Sequence, residues 1–192
     1  MRGGMSYSVK TTPGHSNRIF SAKYFPGDEN TIVTGGWDNT VQIWDTRVGY
    51  SIRSIYGPHI CGDSLDIVGN QIVTGSWRSN QQLEVWDFVS GEKISEVPWH
   101  SSAFTAANQP ACMLYAAQFS KEGTGRFIGA GGSGLNEAKV FDHHRGNAVV
   151  GTITGLTKGI FALDFSPDGQ KVAVAGGDAS VRILDIVPMD QQ

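Results

Sequence analysis

Residues 40–45, with the sequence TVQIWD, decide the fold of this 192-residue chain. They alternate between apolar and polar positions, as a β-strand with one buried face does, and they end in an aromatic residue followed by Asp. Similar endings return at Trp86-Asp87, Phe141-Asp142 and Leu184-Asp185, at intervals of 42, 55 and 43 residues. A repeat of about 40–45 residues with this ending is typical of a propeller blade of four short strands.

The rest of the first repeat surrounds this strand in the order that a four-stranded blade needs. Gly14-His15 comes before an inner strand with apolar residues between positions 19 and 24, and a turn over 26–30 leads to the second strand, 31–35. Residues 36–39 form a tight turn before TVQIWD, and residues 51–55 supply an outer strand. No stretch of the chain has a convincing 3.6-residue period, so almost no helix is expected.

In these features the chain resembles the WD-repeat family of β-propellers, and the resemblance covers essentially the whole chain. It implies an all-β fold, with one WD-repeat region over 1–192 that contains four blades of four antiparallel strands. It also implies a buried, hydrogen-bonded tetrad, and the family's motif places it at His15, Thr34, Asp38 and Trp44. This tetrad is interpreted as structural. The repeats have approximate bounds of 14–56, 57–98, 99–154 and 155–192.

The later repeats depart from this pattern. Arg78 stands at the Asp position of the second repeat, Ala130 and Phe141 stand at the Thr and Trp positions of the third, and Leu156 replaces the His of the fourth. Only the first blade is therefore expected to have the full polar network. The other three are expected to depend mainly on apolar packing between sheets.

The way in which the ring closes is left open by the sequence. The fourth repeat lacks an outer strand, and residues 5–11 have the composition of one; the resemblance implies that such a strand closes the ring. Four repeats are few for the family. The chain could be a fragment or short isoform, or a partial propeller completed by a partner or by a second copy, or a closed four-blade ring. An open or partial ring is favoured over the closed one.

Composition narrows the class of function. A formal net charge of −3, with 15 scattered Lys and Arg residues, argues against general nucleic-acid binding. No apolar run approaches the length of a membrane helix, and the first residues do not resemble a signal peptide. Cys61 and Cys112 are expected to be reduced thiols. An intracellular protein, cytoplasmic or nuclear or both, is expected.

The sequence gives little support to an enzyme, a cofactor or a metal site. Residues 129–134 fit the Gly-x-Gly-x-x-Gly pattern, but a strand follows where dinucleotide binding needs a helix, so a glycine-rich hairpin turn is predicted. His143-His144 is predicted to be an exposed polar turn, because adjacent side chains point apart. The aspartates at 63, 66 and 164 fall in no catalytic motif.

Aromatic residues in loops are the candidate partner-binding site. Trp37 and Trp77 occupy the same place in successive repeats, and Arg78 follows directly. Trp99 lies at the start of a long loop between the second and third blades, and Phe104 lies within that loop. Trp and Arg dominate the hot spots of protein interfaces, so these five residues are predicted to bind a peptide or protein partner.

A non-enzymatic interaction scaffold is therefore the predicted function, with other proteins or peptides as partners and self-association as a further possibility. The alternative is a reader of a modified or charged peptide at the central channel, which would need polar or aromatic residues on the inner strands. Those strands carry Ala22, Ala117 and Ala162 at comparable places, which favours the scaffold. A truncated isoform without independent function is the third possibility.

Overall fold

A computed structural model describes residues 14–100 and 110–187 of the chain. These residues form four antiparallel sheets that follow one another along the sequence. The first sheet contains β1 (Ile19–Phe25), β2 (Asp28–Gly36), β3 (Thr40–Asp45) and β4 (Tyr50–Tyr56). The second contains β5 (Leu65–Val68), β6 (Gln71–Gly75), β7 (Leu83–Asp87) and β8 (Lys93–Glu96). The third contains β9 (Cys112–Phe119), β10 (Phe127–Gly134), β11 (Ala138–Asp142) and β12 (Ala148–Ile153). The fourth contains β13 (Ile160–Phe165), β14 (Lys171–Gly176) and β15 (Val181–Asp185).

The chain is all-β, as the repeat predicted. Each sheet is ordered as its strands occur in sequence, and one turn of 3-10 helix at His143–Arg145 is the helical element that the described residues contain. No helix among those residues is long and apolar enough to cross a membrane. In the 3-10 turn His143 Nδ1 lies 2.8 Å from Asn147 Oδ1, while Nε2 lies 3.1 Å from Gln71 Oε1.

The sheets stack face to face like the blades of a propeller. The first strands of successive sheets contact one another, β1 with β5, β5 with β9 and β9 with β13, so these four are the inner strands. Successive side chains along each strand point to opposite faces of its sheet, so the apolar side chains on a covered face enter the interface with the neighbouring sheet. Three buried clusters result, between the first and second, the second and third, and the third and fourth sheets.

The glycine-rich stretch 129–134 is where the sequence prediction was wrong. It lies within β10 rather than in a hairpin turn. A Cβ on Gly131 would lie 2.7 Å from Ile160 Cγ2, and one on Gly129 would lie 2.9 Å from Leu163 Cδ2. These two glycines therefore have a packing role, because without side chains they allow the third and fourth sheets to approach closely.

The first and fourth sheets end the stack, and each leaves one face exposed. Ile19 and Tyr24 are exposed on the first sheet, as are Val181 and Ile183 on the fourth. The described residues thus form an open arrangement, which contradicts a closed four-blade ring. The predicted closing strand, residues 5–11, lies outside the described residues.

Candidate functional site

The four side chains of the predicted tetrad lie in one hydrogen-bonded chain on a face of the first sheet, where Thr34 and Trp44 belong to its two central strands. Asp38 Oδ2 accepts from His15 Nδ1 at 2.8 Å. His15 Nε2 lies 2.7 Å from Thr34 Oγ1, and this hydroxyl oxygen also accepts from Trp44 Nε1 at 2.7 Å. The His15 and Asp38 side chains are almost fully buried. The chain of bonds fastens the turn before β3 to the segment before β1, which is a structural role.

The carboxyl group of Asp38 is held in its charged form. Burial acts to raise its pKa, but hydrogen bonds from His15, from the Thr40 hydroxyl and from the backbone N–H of Ser16 outweigh burial, so the pKa lies below its usual value of 3.8. A carboxylate whose pKa falls on folding stabilises the folded state above its unfolded-state pKa. That stability is lost as the pH falls through the folded-state pKa.

Replacing Asp38 with Asn is expected to lower the free energy of unfolding at pH 7 by about 1–3 kcal/mol, because the charged hydrogen bonds to His15 and Thr40 are lost. It should also flatten the decline in stability between roughly pH 5 and pH 2. Thermal melts at each pH check both effects. Glu29→Gln, at an exposed position of β2, is the control. An Asp38→Asn variant that keeps the full acid dependence would contradict this role for Asp38.

The second sheet keeps half of the tetrad and replaces the rest with an ion pair. Trp86 Nε1 donates to Thr74 Oγ1 at 2.9 Å, as the first-sheet pair does. Arg78, at the Asp position, donates from Nη2 to Glu84 Oε2 at 2.7 Å and from Nη1 to the Gly57 carbonyl at 2.8 Å. Arg78 is therefore held within its own blade, although the sequence placed it among the partner-binding residues.

Five aromatic side chains lie along one end of the stack, as a contacting pair from the first sheet and a contacting group of three from the other sheets. The rings of Phe20 and Trp37 lie 5.2 Å apart between centroids, those of Trp77 and Tyr115 lie 6.4 Å apart, and those of Tyr115 and Phe161 lie 5.0 Å apart. Each ring is exposed or partly exposed. We call this row the aromatic rim. It runs across all four sheets: the first contributes Phe20 and Trp37, the second Trp77, the third Tyr115 and the fourth Phe161.

Bulges in the inner strands place three of these rings. The register of β1 shifts between Ile19 and Ser21, that of β9 shifts opposite Gly131/Gly132, and that of β13 shifts between Ile160 and Ala162. The extra residue at each shift is Phe20, Tyr115 or Phe161. A bulge redirects the side chain of its extra residue, and here it directs an aromatic ring to the end of the sheet.

Cationic side chains border both ends of the rim. The Arg18 guanidinium lies 5.0 Å from the centre of the Trp37 ring. At the other end, a Cβ on Gly177 would contact both Phe161 and Lys158, so these two side chains flank the same spot. In the second sheet Asp63 takes the place that Phe20 has in the first, and it accepts from Ser21 Oγ at 3.1 Å and Lys23 Nζ at 2.9 Å. The rim is therefore mostly apolar, with cationic side chains at its two margins and the Asp63 carboxylate within it.

Trp37 is held by the loop that joins the first two sheets. Its Nε1 donates to Cys61 Sγ at 2.7 Å, and its ring stacks on His59 with centroids 6.2 Å apart. Burial lowers the pKa of His59, and the charge of Arg78 acts in the same direction, so this imidazole is neutral at pH 7. Burial raises the pKa of the Cys61 thiol, although the Trp37 hydrogen bond acts to lower it.

The two cysteines are expected to differ in reactivity by more than ~100-fold in the folded protein at pH 8, because only thiolates are nucleophilic. Cys112 is fully buried, and burial raises the pKa of its thiol to about 12, whereas Cys61 is only partly buried. Iodoacetamide labelling followed by mass spectrometry should find Cys61 modified first and Cys112 modified only after unfolding. Equal labelling rates would contradict this arrangement.

Two other predicted site residues, Trp99 and Phe104, are not among the five rings of the rim. Trp99 is only 3% exposed, and its Nε1 donates to Glu137 Oε1 at 2.5 Å, so it lies in the core between the second and third sheets and is not an exposed anchor. Phe104 lies outside the described residues. Sequence reasoning missed Phe20, Tyr115 and Phe161, although each directly follows an apolar residue of an inner strand. No group of three potential metal ligands occurs within 14–100 and 110–187.

Comparisons with known proteins agree with the observed fold. The family model of the WD domain, G-beta repeat, matches residues 6–45 and 147–185. Autophagy-related protein 16 of Arabidopsis thaliana is 26% identical over 181 residues, which cover 92% of this chain and 32% of the relative. Protein tipD of Dictyostelium discoideum is 27% identical over 184 residues, which cover 93% of this chain and 28% of the relative.

The chain spans about a third of the length of these two curated relatives. A shorter match, 27% identical over 126 residues, joins 62% of the chain to 32% of the guanine nucleotide-binding protein subunit beta of A. thaliana. Among solved structures, the crystal structure of the computationally designed Ika4 protein superposes with a TM-score of 0.71 at 22% identity. It covers 95% of this chain and 100% of its own. That likeness concerns the fold alone.

Proposed function

We propose that this chain, a WD-repeat protein of the β-propeller fold, is a non-enzymatic scaffold that binds partner proteins or peptides on its aromatic rim. The observation that carries this proposal is the row of five exposed or partly exposed rings along one end of the stack. Rigid aromatic residues supply a large contact area at a low cost in side-chain entropy, and Trp and Tyr dominate binding hot spots.

The setting of the rim favours a polypeptide partner. Large rings make up most of the rim, with Asp63 among them, and Arg18 and Lys158 stand at its margins. A mainly apolar surface with a charged border is the arrangement found in protein interfaces. Two matched relatives bear names that describe parts of larger assemblies, a guanine nucleotide-binding protein subunit beta and a cofactor of the APC complex. By analogy with them, we place this chain inside the cell as a component of such an assembly.

A second candidate, a reader of a charged peptide side chain at the channel, is favoured by one specific observation. Three rim residues, Phe20, Tyr115 and Phe161, belong to the channel-lining inner strands. Ala162, which the sequence places level with Ala22, is one residue out of register with it, because Leu163 pairs with Val174 as Ala22 pairs with Thr34. Aromatic faces attract a peptide cation through cation–π interactions.

A random peptide library displayed on phage tests the proposal on the full chain. Peptides enriched on the wild-type chain are expected to lose at least ~10-fold in affinity for Trp77→Ala and Phe161→Ala, the effect of losing one hot-spot ring. The control is Tyr50→Ala, which removes an exposed ring at the opposite end of the first sheet. It should change the affinity by less than about twofold, the usual size of the effect of a surface substitution. Dependence on Phe161 with a requirement for Lys or Arg in the peptide would select the reader. Failure to enrich any peptide, or equal affinity for all variants, would overturn both candidates.

A further inference from the structure

Each sheet has a leading face, on the side of the next sheet along the chain, and a trailing face, on the side of the preceding one. The leading face of the first sheet, with Val33, Val41 and Ile43, packs against the second sheet. The trailing face of the second sheet receives it with Leu65, Ile72 and Trp86. The same relation recurs between the second and third sheets and between the third and fourth. Every internal interface is therefore a leading face against a trailing face.

Close approach at these interfaces depends on a small residue at one position of each leading face. Gly35 meets Ile60 and Leu65, Gly75 meets Leu114 and Ala117, and Gly131 meets Ile160, all at distances of 2.7–3.2 Å from a Cβ placed on the glycine. By strand register, the fourth sheet has Ala175 at this position, paired with Val181 as Gly35 is paired with Val41. The fourth sheet thus keeps the small residue, although none of the four sheets formed by residues 14–100 and 110–187 packs on it.

The leading face of the fourth sheet is apolar and exposed. Val181 and Ile183 are 69% and 70% exposed, whereas Val41 and Ile43, their equivalents in the first sheet, are 0% and 1% exposed. Ala173 and Ala175 lie between them and the inner strand on the same face. This surface has the composition of a buried interface, but among the described residues it is exposed.

The trailing face of the first sheet has the complementary features. Ile19 corresponds by register to Leu114 and Ile160. Each of the three pairs with the glycine that directly follows the small residue of the neighbouring strand, which is Gly36, Gly132 or Gly176. Leu114 and Ile160 are buried against the preceding sheet, but Ile19 is 50% exposed. Tyr24 is exposed at the far end of the same strand, and Ile32 and Trp44 are partly exposed next to it on the same face.

We propose that a second copy of this chain covers both faces, so that the leading face of the fourth sheet of each copy packs on the trailing face of the first sheet of the other. Within the described part of one copy, three interfaces of this kind form, and the two end faces, which are the two halves of a fourth, do not cover each other. A contact between different faces forms a ring when its rotation closes. Two copies joined in this way form a closed ring of eight blades, within the range of four to eight known for propellers.

The mass of the chain in solution, measured by light scattering after gel filtration, tests this proposal. Wild type is expected to have twice the 20.6 kDa of one chain. Ile183→Lys, on the leading face, and Ile19→Glu, on the trailing face, should each weaken the dimer by about 100-fold or more, because either variant buries an unpaired charge in both contacts. The control Val89→Lys, an exposed apolar residue in the β7–β8 turn, should leave the mass unchanged.

Mixing the two single variants supplies the decisive result. In a mixed dimer the intact leading face of the Ile19→Glu copy meets the intact trailing face of the Ile183→Lys copy, and both substitutions lie in the other contact. One unaltered contact should let the mixture form a dimer that neither variant forms alone. Circular dichroism establishes that both variants fold. A wild-type monomer, a dimer insensitive to both variants, or a mass that grows beyond two copies with concentration would each overturn the proposal. The rim is not altered in these variants, so their result is independent of peptide binding.

Discussion

Replacing Arg78 with Ala is expected to lower the free energy of unfolding by about 3 kcal/mol, the lower end of the cost of leaving a buried charge without its partner. Glu84 is 1% exposed and accepts from Arg78 Nη2 at 2.7 Å and from Lys93 Nζ at 3.1 Å. Without Arg78 the carboxylate keeps only the Lys93 contact, and the Gly57 carbonyl loses its donor. Urea denaturation of wild type and variant measures the difference.

The double variant Arg78→Met with Glu84→Met is the matched control for this prediction. It removes both charges and fills their volume with apolar atoms, which is often neutral or stabilising. It should therefore be more stable than Arg78→Ala alone. A single variant as stable as wild type would show that Arg78 is free to serve as a partner-binding residue, contrary to the geometry.

Replacing Phe141 with Ala is expected to destabilise the chain by about 3–5 kcal/mol, the usual cost of deleting a large buried ring. Phe141 is fully buried between the second and third sheets, and its ring lies 5.8 Å from that of Trp99. It stands where the first two sheets have Trp44 and Trp86, so its ring closes the interface without a hydrogen bond. Thermal and urea unfolding provide the measurement.

Phe161→Ala is the matched control for the Phe141 variant. Phe161 is an exposed ring of the aromatic rim, and its removal should change the free energy of unfolding by less than about 1 kcal/mol. Equal destabilisation by the two substitutions would mean that the rim ring is a lid on the core. The same result would also make Phe161→Ala unusable as a probe of binding.

The sequence predicted the all-β architecture because a strand with one buried face leaves a period of two in its residues. Neighbouring turn residues marked the same four units that the sheets occupy. The tetrad positions followed from the family resemblance, since those four residues hold fixed places in the repeat. The Thr34 hydroxyl oxygen indeed lies 2.7 Å from His15 Nε2 and 2.7 Å from Trp44 Nε1.

What the sequence could not reveal depends on contacts between distant residues. Trp99 was predicted to be an exposed anchor, but its Nε1 meets Glu137, a residue of the next sheet that no local pattern links to it. The rings of Phe20, Tyr115 and Phe161 reach the rim through bulges. The extra residue of a bulge changes the sheet face to which the following side chains point, but it leaves no mark in the amino-acid composition of the strand. Gly131 was read as a turn because its need for space comes from Ile160 of another sheet.

The central claim, that partners bind on the aromatic rim, is tested most directly by the indole N–H signals of the five Trp residues. In a ¹⁵N-labelled wild-type chain titrated with the tightest selected peptide, the signals of Trp37 and Trp77 are expected to shift. Those of Trp44, Trp86 and Trp99, which lie on the trailing face or in the core, should stay in place. Shifts confined to these three, or peptide binding that moves none of the five, would contradict the claim.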